Sequence, residues 1–386
     1  MVKSAAAKNA RNTMNLDELN FELPPERIAQ HPLAARDASR MLLLDKTTGA
    51  WDDRYFREFP ELLRGDELII LNNARVFPAR LFGRRVGIHA EPPGMHNSAR
   101  REHLKTPIEV LLIRQLTADT WETLVRPGRK ISVGERIIFG AGENESAADA
   151  ELEAITESRG PYGLRVLRFT AKTGFQEALN RLGHIPLPPY IKRADQPADR
   201  ERYQTIYASH GSAVAAPTAG LHFTPEIMQR VRARGIEIAE ITLDVGLGTF
   251  APVRTQRLED HKIHLESYEI PEATAEAIAK AQNKSHPILA IGTTVVRALE
   301  DAAEKSASSA AGGKLSAGKS EAAILLYPGK PLRVVNQLLT NFHLPQSSLL
   351  ALVATVAGPE NILRAYRHAV AAEYRFYSYG DCMLIR

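Results

Sequence analysis

The sequence contains a single cysteine, Cys382, among its 386 residues. One cysteine excludes an intramolecular disulfide and a metal site built from several thiolates, and it is typical of a reducing compartment. Cys382 lies in the apolar run Cys-Met-Leu-Ile near the end of the chain. We therefore interpret it as a small core residue rather than as a nucleophile.

Long hydrophobic runs are also missing. No run approaches the roughly 18 apolar residues that cross a bilayer. The first residues are basic at intervals and lack the apolar centre of a secretory signal. With 44% hydrophobic and 24% charged residues, the composition is that of an ordinary soluble protein. We expect a cytoplasmic protein that does not bind membranes.

The length predicts two domains, because 386 residues exceed what one hydrophobic core usually supports. From Asp66 to about residue 170, short apolar or alternating runs predict a small antiparallel β-barrel or sandwich, with residues 68–71 as its first strand. After about Gly183, strands alternate with Gly-rich turns and helices. This second pattern predicts an α/β domain with a mainly parallel sheet, whose ligand lies beyond the carboxyl ends of the strands.

Local signals place several elements of the α/β part. The sequence predicts helices that begin near Pro225, Glu272, Thr293 and Ser348, and strands over residues 236–243, 288–291 and 323–327. Two stretches have no apolar period, and we expect exposed loops at residues 87–105 and 302–320.

The net charge of +4 is modest but unevenly distributed. Between Asp66 and Gly140, 12 Lys and Arg residues stand against 8 Asp and Glu residues, an excess of four that equals the net charge of the chain. This excess suggests a polyanionic partner, although solvated surface arginines also produce such a bias. The candidate phosphate contacts are the basic residues in and beside the predicted barrel, Arg75, Arg80, Arg84, Arg85, Arg126, Arg129 and Lys130.

Histidines stand in short segments rich in Gly, Pro, Thr and Ser, at residues 217–224, 261–266 and 340–345. Such turns let the backbone approach a ligand, and histidine titrates nearest neutrality, so the segments predict one active site assembled from distant parts of the chain. His222 precedes a helix N-terminus, where the dipole favours a neutral imidazole; it is a candidate proton acceptor or simply a helix cap.

Two other interpretations of these motifs remain open. Gly246 and Gly248 follow a strand and fit the Gly-x-Gly-x-x-Ala fingerprint of an NAD-dependent oxidoreductase, but no amphipathic helix follows them. His261, His264 and Glu266 have a spacing that metal ligands can have. No cysteine or His-Glu-x-x-His motif accompanies them, which favours acid/base chemistry or substrate binding over a metal site.

Taken together, the segments resemble the S-adenosylmethionine:tRNA ribosyltransferase-isomerase family of queuosine biosynthesis. The most specific motifs are Pro-Thr-Ala-Gly-Leu-His-Phe at 217–223 and Thr-Asn-Phe-His-Leu-Pro at 340–345. Further matching segments cover nearly the whole chain, at residues 21–26, 36–40, 186–191, 201–207, 214–216, 245–250, 292–294 and 379–381. Three features depart from the family: Asp244 replaces the usual histidine, Cys382 replaces alanine, and the 87–105 loop is longer.

The resemblance implies a reaction and an architecture. The ribosyl moiety of S-adenosylmethionine is transferred to 7-aminomethyl-7-deazaguanine at the wobble position of a tRNA with a GUN anticodon and is isomerised to an epoxycyclopentanediol, with loss of adenine and methionine. S-adenosylmethionine is then a consumed substrate, so no cofactor and no metal is expected, and we expect a monomer. The resemblance also implies an α/β domain, residues 1–65 and 171–386, interrupted by an inserted β-barrel, residues 66–170.

The same chemistry assigns roles to the motifs. A sulfonium acidifies the neighbouring 5′ carbon, so a neutral histidine can act as base, and the departing adenine benefits from a proton donor. We predict His222 as the base and His264 with Glu266 as the acid and its orienting partner. The residues predicted to hold the nucleoside and methionine are Thr218, Gly220, Gly246, Gly248, Thr249, Thr293, Thr294, Arg297, Asn341 and His343. Those predicted to bind tRNA are Arg75, Arg80, Arg126, Arg129 and Lys130.

A rival from another class is a non-catalytic RNA-binding module. Such a module would use the barrel and its arginines alone, and the histidine segments would then have no purpose. An NAD-dependent enzyme would instead need the Gly246 turn to bind a pyrophosphate.

Overall fold

The computed structural model describes residues 15–86, 104, 106–141, 147–246, 257–260, 265–308 and 315–386. The chain divides into two compact units. The α/β unit takes the described parts of Met1–Arg75, Pro188–Ala194 and Glu201–Arg386, and the barrel unit takes those of Val76–Leu187 and Asp195–Arg200. The boundaries expected from the sequence were residues 65 and 170. The predicted class, an α/β domain with an inserted antiparallel barrel, is confirmed.

Strands are numbered along the chain. They are β1 (Arg40–Leu44), β2 (Trp51–Tyr55), β3 (Leu68–Asn72), β4 (Ala74–Val76), β5 (Arg80–Arg85), β6 (Pro107–Gln115), β7 (Thr120–Arg126), β8 (Arg136–Phe139), β9 (Leu152–Arg159), β10 (Leu164–Ala171), β11 (His210–Ala213), β12 (Glu237–Leu243), β13 (Glu266–Ile270), β14 (Ile288–Ile291), β15 (Gly318–Ala322), β16 (Gln337–Asn341) and β17 (Cys382–Ile385).

The helices are numbered in the same way. They are α1 (Phe59–Leu62), α2 (Phe175–Leu182), α3 (Asp199–Arg202), α4 (Pro225–Ala233), α5 (Glu272–Asn283), α6 (Thr293–Ala307), α7 (Ser348–Ala357) and α8 (Pro359–Ala371).

Two of the predicted helix starts are capped as their residue types indicate. Thr224 accepts a hydrogen bond from the amide of Ile227, and Ser347 accepts one from the amide of Leu350, both at 3.2 Å. Such side-chain caps satisfy amides that have no partner inside the first turn. Gly292 precedes α6 with φ +100°, a conformation that glycine adopts without strain.

The sheet of the α/β unit is mixed. Within the described residues its nine strands run in the order β15-β13-β12-β3-β14-β16-β17-β1-β2. The central strands β12, β3, β14 and β16 are parallel, whereas β17 is antiparallel to β16, and β13 and β15 form an antiparallel edge. The carboxyl ends of the four parallel strands therefore lie side by side at the same end of the sheet. A ligand site was expected there.

The sheet separates two hydrophobic cores. Along β3, Leu68 and Ile70 pack into the core that contains α5, α6, α7 and α8, whereas Ile69 and Leu71 pack into the core that contains α4. A strand that is buried on both faces has a continuous run of apolar residues in its sequence, without alternation. This explains why residues 68–71 were wrongly predicted to begin the barrel: β3 lies in the middle of the large sheet.

Two other predictions near α6 were wrong. Residues 302–320 were expected to be a loop, but α6 continues to Ala307 because Ala302 and Ala303 pack into the core, and β15 begins at Gly318. Residues 323–327 were predicted to be a strand, but β15 ends at Ala322. After it, Ile324, Leu326 and Tyr327 are buried in the core without forming a strand.

The barrel unit contains the predicted antiparallel barrel. In the part of the chain that the structure describes, the barrel closes through six strands in the order β10-β7-β6-β5-β8-β9. Buried residues alternate with more exposed ones along most of β9 and β10, and most of the buried ones are apolar. The predicted 87–105 loop lies outside the described residues, apart from Leu104.

Candidate functional site

A cavity of about 600 Å³ opens in the α/β unit at the carboxyl ends of the parallel strands. Segments that follow three of these strands form much of its wall: Val245 after β12, Gly292 to Thr294 after β14, and Asn341 to His343 at the end of β16. Of the predicted binding residues, the cavity is lined by Thr218, Thr293, Thr294, Asn341 and His343.

Asn341 is the most constrained of these side chains, and it is 2% exposed. Its Nδ2 lies 3.0 Å from the carbonyl oxygen of Tyr377 and 3.4 Å from that of Asp381. The same Nδ2 lies 3.3 Å from Nε2 of His222. Its Oδ1 is buried and has no hydrogen-bond partner among the described residues. A buried acceptor without a partner is destabilising, which makes it a candidate for ligand recognition.

His222 lies on a short 3-10 turn, Thr218–His222, and is 3% exposed. Its Nδ1 is 2.9 Å from Oγ of Ser39, and its Nε2 faces Asn341. Burial, together with the positive charges of Arg36 and Arg375, lowers the pKa of His222 to about 3. The side chain is therefore neutral at pH 7, and it does not line the 600 Å³ cavity.

His343, in contrast, lines the cavity. Its Nε2 lies 2.8 Å from Oγ1 of Thr340, and that hydroxyl donates to the carbonyl oxygen of Asn341 at 3.1 Å. Burial lowers the pKa of His343 to about 4. His343 is therefore a second neutral imidazole, in addition to His222, for which the sequence predicted a neutral ring.

Thr293 and Thr294 begin α6 at the cavity wall. The first amides of a helix lack intrahelical partners and carry the positive end of the dipole, so this terminus favours a carboxylate or a hydroxyl-rich ligand. Oγ1 of Thr294 accepts a hydrogen bond from Nδ2 of Asn72 at 3.5 Å. This contact ties the start of α6 to the end of β3.

The cavity wall also contains an aromatic pair, Tyr190 and Tyr377, whose contact the sequence did not predict. The rings of Tyr190 and Tyr377 are stacked, with centroids 4.3 Å apart, and the Tyr190 hydroxyl is 2.6 Å from Oγ of Ser378. Tyr377 has φ +70°, a left-handed conformation that is strained for an aromatic residue. Tyr190 lies in the matching segment 186–191, but neither Tyr190 nor Ser378 was predicted as a site residue, because their contact joins distant parts of the chain.

Other predicted site residues lie away from the cavity wall. Glu266 is buried and forms an ion pair with Arg297, and its Oε1 is 3.4 Å from the amide of Gly246. Gly220 packs against Tyr207. Gly248, Thr249, His261 and His264 lie outside the described residues. The roles predicted for His222, His264 and Glu266 stay predictions.

The residues predicted to bind tRNA differ in their exposure and in whether they already form an ion pair. Arg126, Arg129 and Lys130 are exposed at and after the end of β7. The buried Arg165 donates hydrogen bonds to the carbonyl oxygens of Gly128 and Ile131 and so holds this turn in place. The guanidinium of Arg80 is already paired with Glu109 at 3.0 Å.

Arg75 is exposed on β4 of the α/β unit. Among the described residues, no group of three or more His, Cys, Asp or Glu side chains is arranged to hold a metal ion. None of the helices in those same residues is long and apolar enough to cross a membrane.

A large cavity with a few polar groups at the carboxyl ends of parallel strands is typical of an enzyme that binds a small molecule. The sequence matches the family described as "Queuosine biosynthesis protein" over residues 16–385, and the chain belongs to this family. The family does not support the alternative of an NAD-dependent oxidoreductase or a non-catalytic RNA-binding module.

Relatives from several bacteria agree with this assignment. A protein of Solibacter usitatus named S-adenosylmethionine:tRNA ribosyltransferase-isomerase is 50% identical, over 96% of this chain and 100% of its own length. One of the same name from Moorella thermoacetica is 46% identical over the same shares. The crystal structure of an S-adenosylmethionine tRNA ribosyltransferase from Thermotoga maritima is 31% identical over 96% of this chain and 100% of that one, with a TM-score of 0.49.

Proposed function

We propose that this protein transfers and isomerises the ribosyl moiety of S-adenosylmethionine onto 7-aminomethyl-7-deazaguanine in tRNA, giving epoxyqueuosine, adenine and methionine. Its family and the names of its relatives support this activity. The observation that carries the proposal is the 600 Å³ cavity, whose wall contains the family's Thr-Asn-Phe-His motif. Cavities of roughly 300–1,000 Å³ hold ligands of this size.

The cavity wall suits the parts of S-adenosylmethionine. The N-terminus of α6 at Thr293 and Thr294 offers amide donors and a positive dipole to the methionine carboxylate or the ribose hydroxyls. The reaction begins with removal of a proton next to the sulfonium, which a neutral imidazole can accept. His343 is such an imidazole on the cavity wall.

The partners follow from the reaction. S-adenosylmethionine is consumed, so the proposal requires neither a metal nor a redox cofactor. The macromolecular substrate is a tRNA with a GUN anticodon, and we propose that the exposed turn of Arg126, Arg129 and Lys130 contacts its phosphates. We also propose that the enzyme acts in the cytoplasm as a monomer.

A turnover assay tests the proposal. S-adenosylmethionine and an anticodon stem-loop that carries aminomethyl-deazaguanine are incubated with the protein, and free adenine and the mass of the RNA are measured. Adenine release coupled to a mass gain on the RNA is expected. RNA binding without either product would contradict the proposed activity and would favour a non-catalytic RNA-binding role.

A pair of tryptophan substitutions links the activity to the cavity. Ser348→Trp places a large ring on the cavity wall and is expected to lower turnover at least about a hundredfold, because it fills the space that the substrate needs. Ser267→Trp, on an exposed position of β13, is the matched control and should turn over normally. If the two variants are equally active, the reaction does not take place in this cavity.

A further inference from the structure

The contacts of Asn341 determine which way its amide points. The carbonyl oxygens of Tyr377 and Asp381 can only accept hydrogen bonds, so the amide atom that faces both of them is the NH2 group. The opposite orientation would set an oxygen against two carbonyl oxygens. Oδ1 is therefore turned away from these partners, and Asn341 lines the cavity.

The same argument determines the tautomer of His222. Because Nδ2 of Asn341 is a donor, the neighbouring Nε2 of His222 must offer a lone pair. The ring is neutral, so its proton lies on Nδ1 and is donated to Oγ of Ser39. The Ser39 hydroxyl in turn donates to the carbonyl oxygen of Arg36 at 3.3 Å. A continuous chain thus runs from Arg36 to Asn341, and both ring nitrogens of His222 are engaged in it.

The free Oδ1 needs a ligand that donates a hydrogen bond, and the surroundings favour an uncharged donor. The charges that act on the adjacent His222 are those of Arg36 and Arg375, both positive. The nearby buried carboxylate of Asp381 already accepts hydrogen bonds from the amides of Arg40 and Arg375. An ammonium or a sulfonium at this point would therefore meet two positive side chains and a carboxylate that is already engaged. Apolar and aromatic groups, including Phe342 and the Tyr190–Tyr377 pair, also line the cavity. The uncharged donors of the substrate are its ribose hydroxyls, for which the N-terminus of α6 offers partners, and the 6-amino group of its adenine, whose flat ring suits this apolar and aromatic wall.

We propose that Oδ1 of Asn341 accepts a hydrogen bond from the adenine 6-amino group and that His222 is a positioning residue, which holds the Asn341 amide, rather than the base. This inference rests on the proposed function, because it takes S-adenosylmethionine as the ligand. It assigns recognition of the leaving base to Asn341 and its orientation to the chain of Ser39 and His222.

Two ligands that differ only at position 6 of the base test whether Asn341 recognises the amino group of adenine. S-inosylhomocysteine has a carbonyl oxygen where S-adenosylhomocysteine has the amino group, so it would set an acceptor against Oδ1. By calorimetry, the wild-type protein is expected to bind the adenosyl ligand at least about tenfold more tightly. In Asn341→Ala this preference should fall below about threefold, because the acceptor is gone. Equal binding of both ligands by the wild-type protein would overturn the proposal.

Two substitutions of His222 separate a positioning residue from a base. In His222→Gln, Oε1 of the new side chain can still accept from Nδ2 of Asn341, but it cannot take a proton at neutral pH. His222→Gln is expected to keep the adenosyl preference within about threefold and turnover within about tenfold of the wild type. In His222→Ala the preference should fall below about threefold and turnover by at least about a hundredfold. If both variants are equally inactive while still preferring the adenosyl ligand, His222 is the base and the positioning role is wrong.

The experiment also separates this inference from the proposed function. A wild-type protein that turns over S-adenosylmethionine but binds both ligands equally contradicts only the role of Asn341. A wild-type protein that binds neither ligand and releases no adenine contradicts both. Asn341→Ala removes donors from two buried carbonyl groups and can unfold; the comparison of the two ligands on the wild type and on His222→Gln does not depend on it.

Discussion

The polar side chains around the cavity of the α/β unit differ from the paired charges on the strands of the barrel unit. In the α/β unit, Asn341 and His222 are almost fully buried and bonded to backbone carbonyls or to each other. In the barrel unit, outward-facing charges such as Arg136 and Glu153 pair across neighbouring strands at partly exposed positions. Exposed ion pairs contribute little to stability, whereas a buried group without a partner is costly. This difference fits the proposed roles, in which the α/β unit binds S-adenosylmethionine and the exposed basic turn of the barrel contacts RNA.

Matched glycine-to-alanine substitutions in the two units should differ most in their effect on kcat/KM, although both lower the stability of the protein. A Cβ on Gly220 would lie 2.0 Å from the Tyr207 hydroxyl, and one on Gly83 of the barrel would lie 2.6 Å from a ring carbon of Phe139. Both alanine variants are expected to lose about 1–3 kcal/mol of unfolding free energy, measured with urea.

Only Gly220→Ala should also lose kcat/KM for S-adenosylmethionine, by about a hundredfold, because it displaces the turn that carries Thr218 and His222. Gly83→Ala is expected to stay within about threefold of the wild type at saturating RNA. A barrel variant as inactive as Gly220→Ala would contradict this division of roles.

The lowered pKa of His343 in the α/β unit predicts a pH-dependent stability. The pKa of His343 is about 4 in the folded protein, against about 6.5 in an unfolded chain. Between these values the unfolded chain binds a proton that the folded protein does not, so the unfolding free energy decreases as the pH falls. From pH 7 to pH 5, the wild type should lose about 2 kcal/mol more than His343→Gln, measured by urea denaturation. Parallel curves for the two proteins would show that His343 is not buried as a neutral ring.

Removing the exposed positive charges of the barrel turn should weaken the binding of RNA without changing the binding of the small-molecule ligand. The triple variant Arg126→Ala/Arg129→Ala/Lys130→Ala is expected to raise KM for the stem-loop about tenfold and to make its salt dependence shallower by about two units of slope. Affinity for S-adenosylhomocysteine should not change. The control removes the same charge from exposed positions of the α/β unit, Arg232, Lys284 and Arg367. If the control raises KM equally, net charge rather than this turn attracts the RNA.

The smallest effect is expected for a barrel ion pair. Arg136→Ala breaks a two-contact pair with Glu153, at 2.7 and 2.6 Å, but both side chains are partly exposed. Its unfolding free energy should fall by less than about 1 kcal/mol, because water replaces the lost contacts. A loss above about 3 kcal/mol in urea denaturation would mean that the barrel depends on these charges for its fold.

Local signals predicted much of the fold. Thr224 and Ser347 cap the helices that their residue types indicate, and the apolar runs of β12 and β14 were located within a residue or two. The predictions failed where packing overrides the local pattern. The apolar run of β3 looks the same in a barrel and in the middle of a sheet, and the Ala-rich end of α6 lacks the apolar period of a helix although the core covers it.

For the candidate site, motif and resemblance predicted Thr218, Thr293, Thr294, Asn341 and His343, and the structure brings these residues to one cavity. The sequence did not predict that Tyr190 and Ser378 also line this cavity, or that Ser39 contacts His222, because these contacts join segments that are distant in the chain.

The sequence by itself determined the family, the two kinds of domain and the residue types available for chemistry, because these depend on motifs and on the periodicity of apolar residues. Only the tertiary structure decided which atoms face the cavity. The orientation of the Asn341 amide and the tautomer of His222 depend on carbonyl groups of Tyr377, Asp381 and Arg36 that are distant in the chain. Hydrogen-bond direction is set by these spatial neighbours and not by the residues on either side in the sequence.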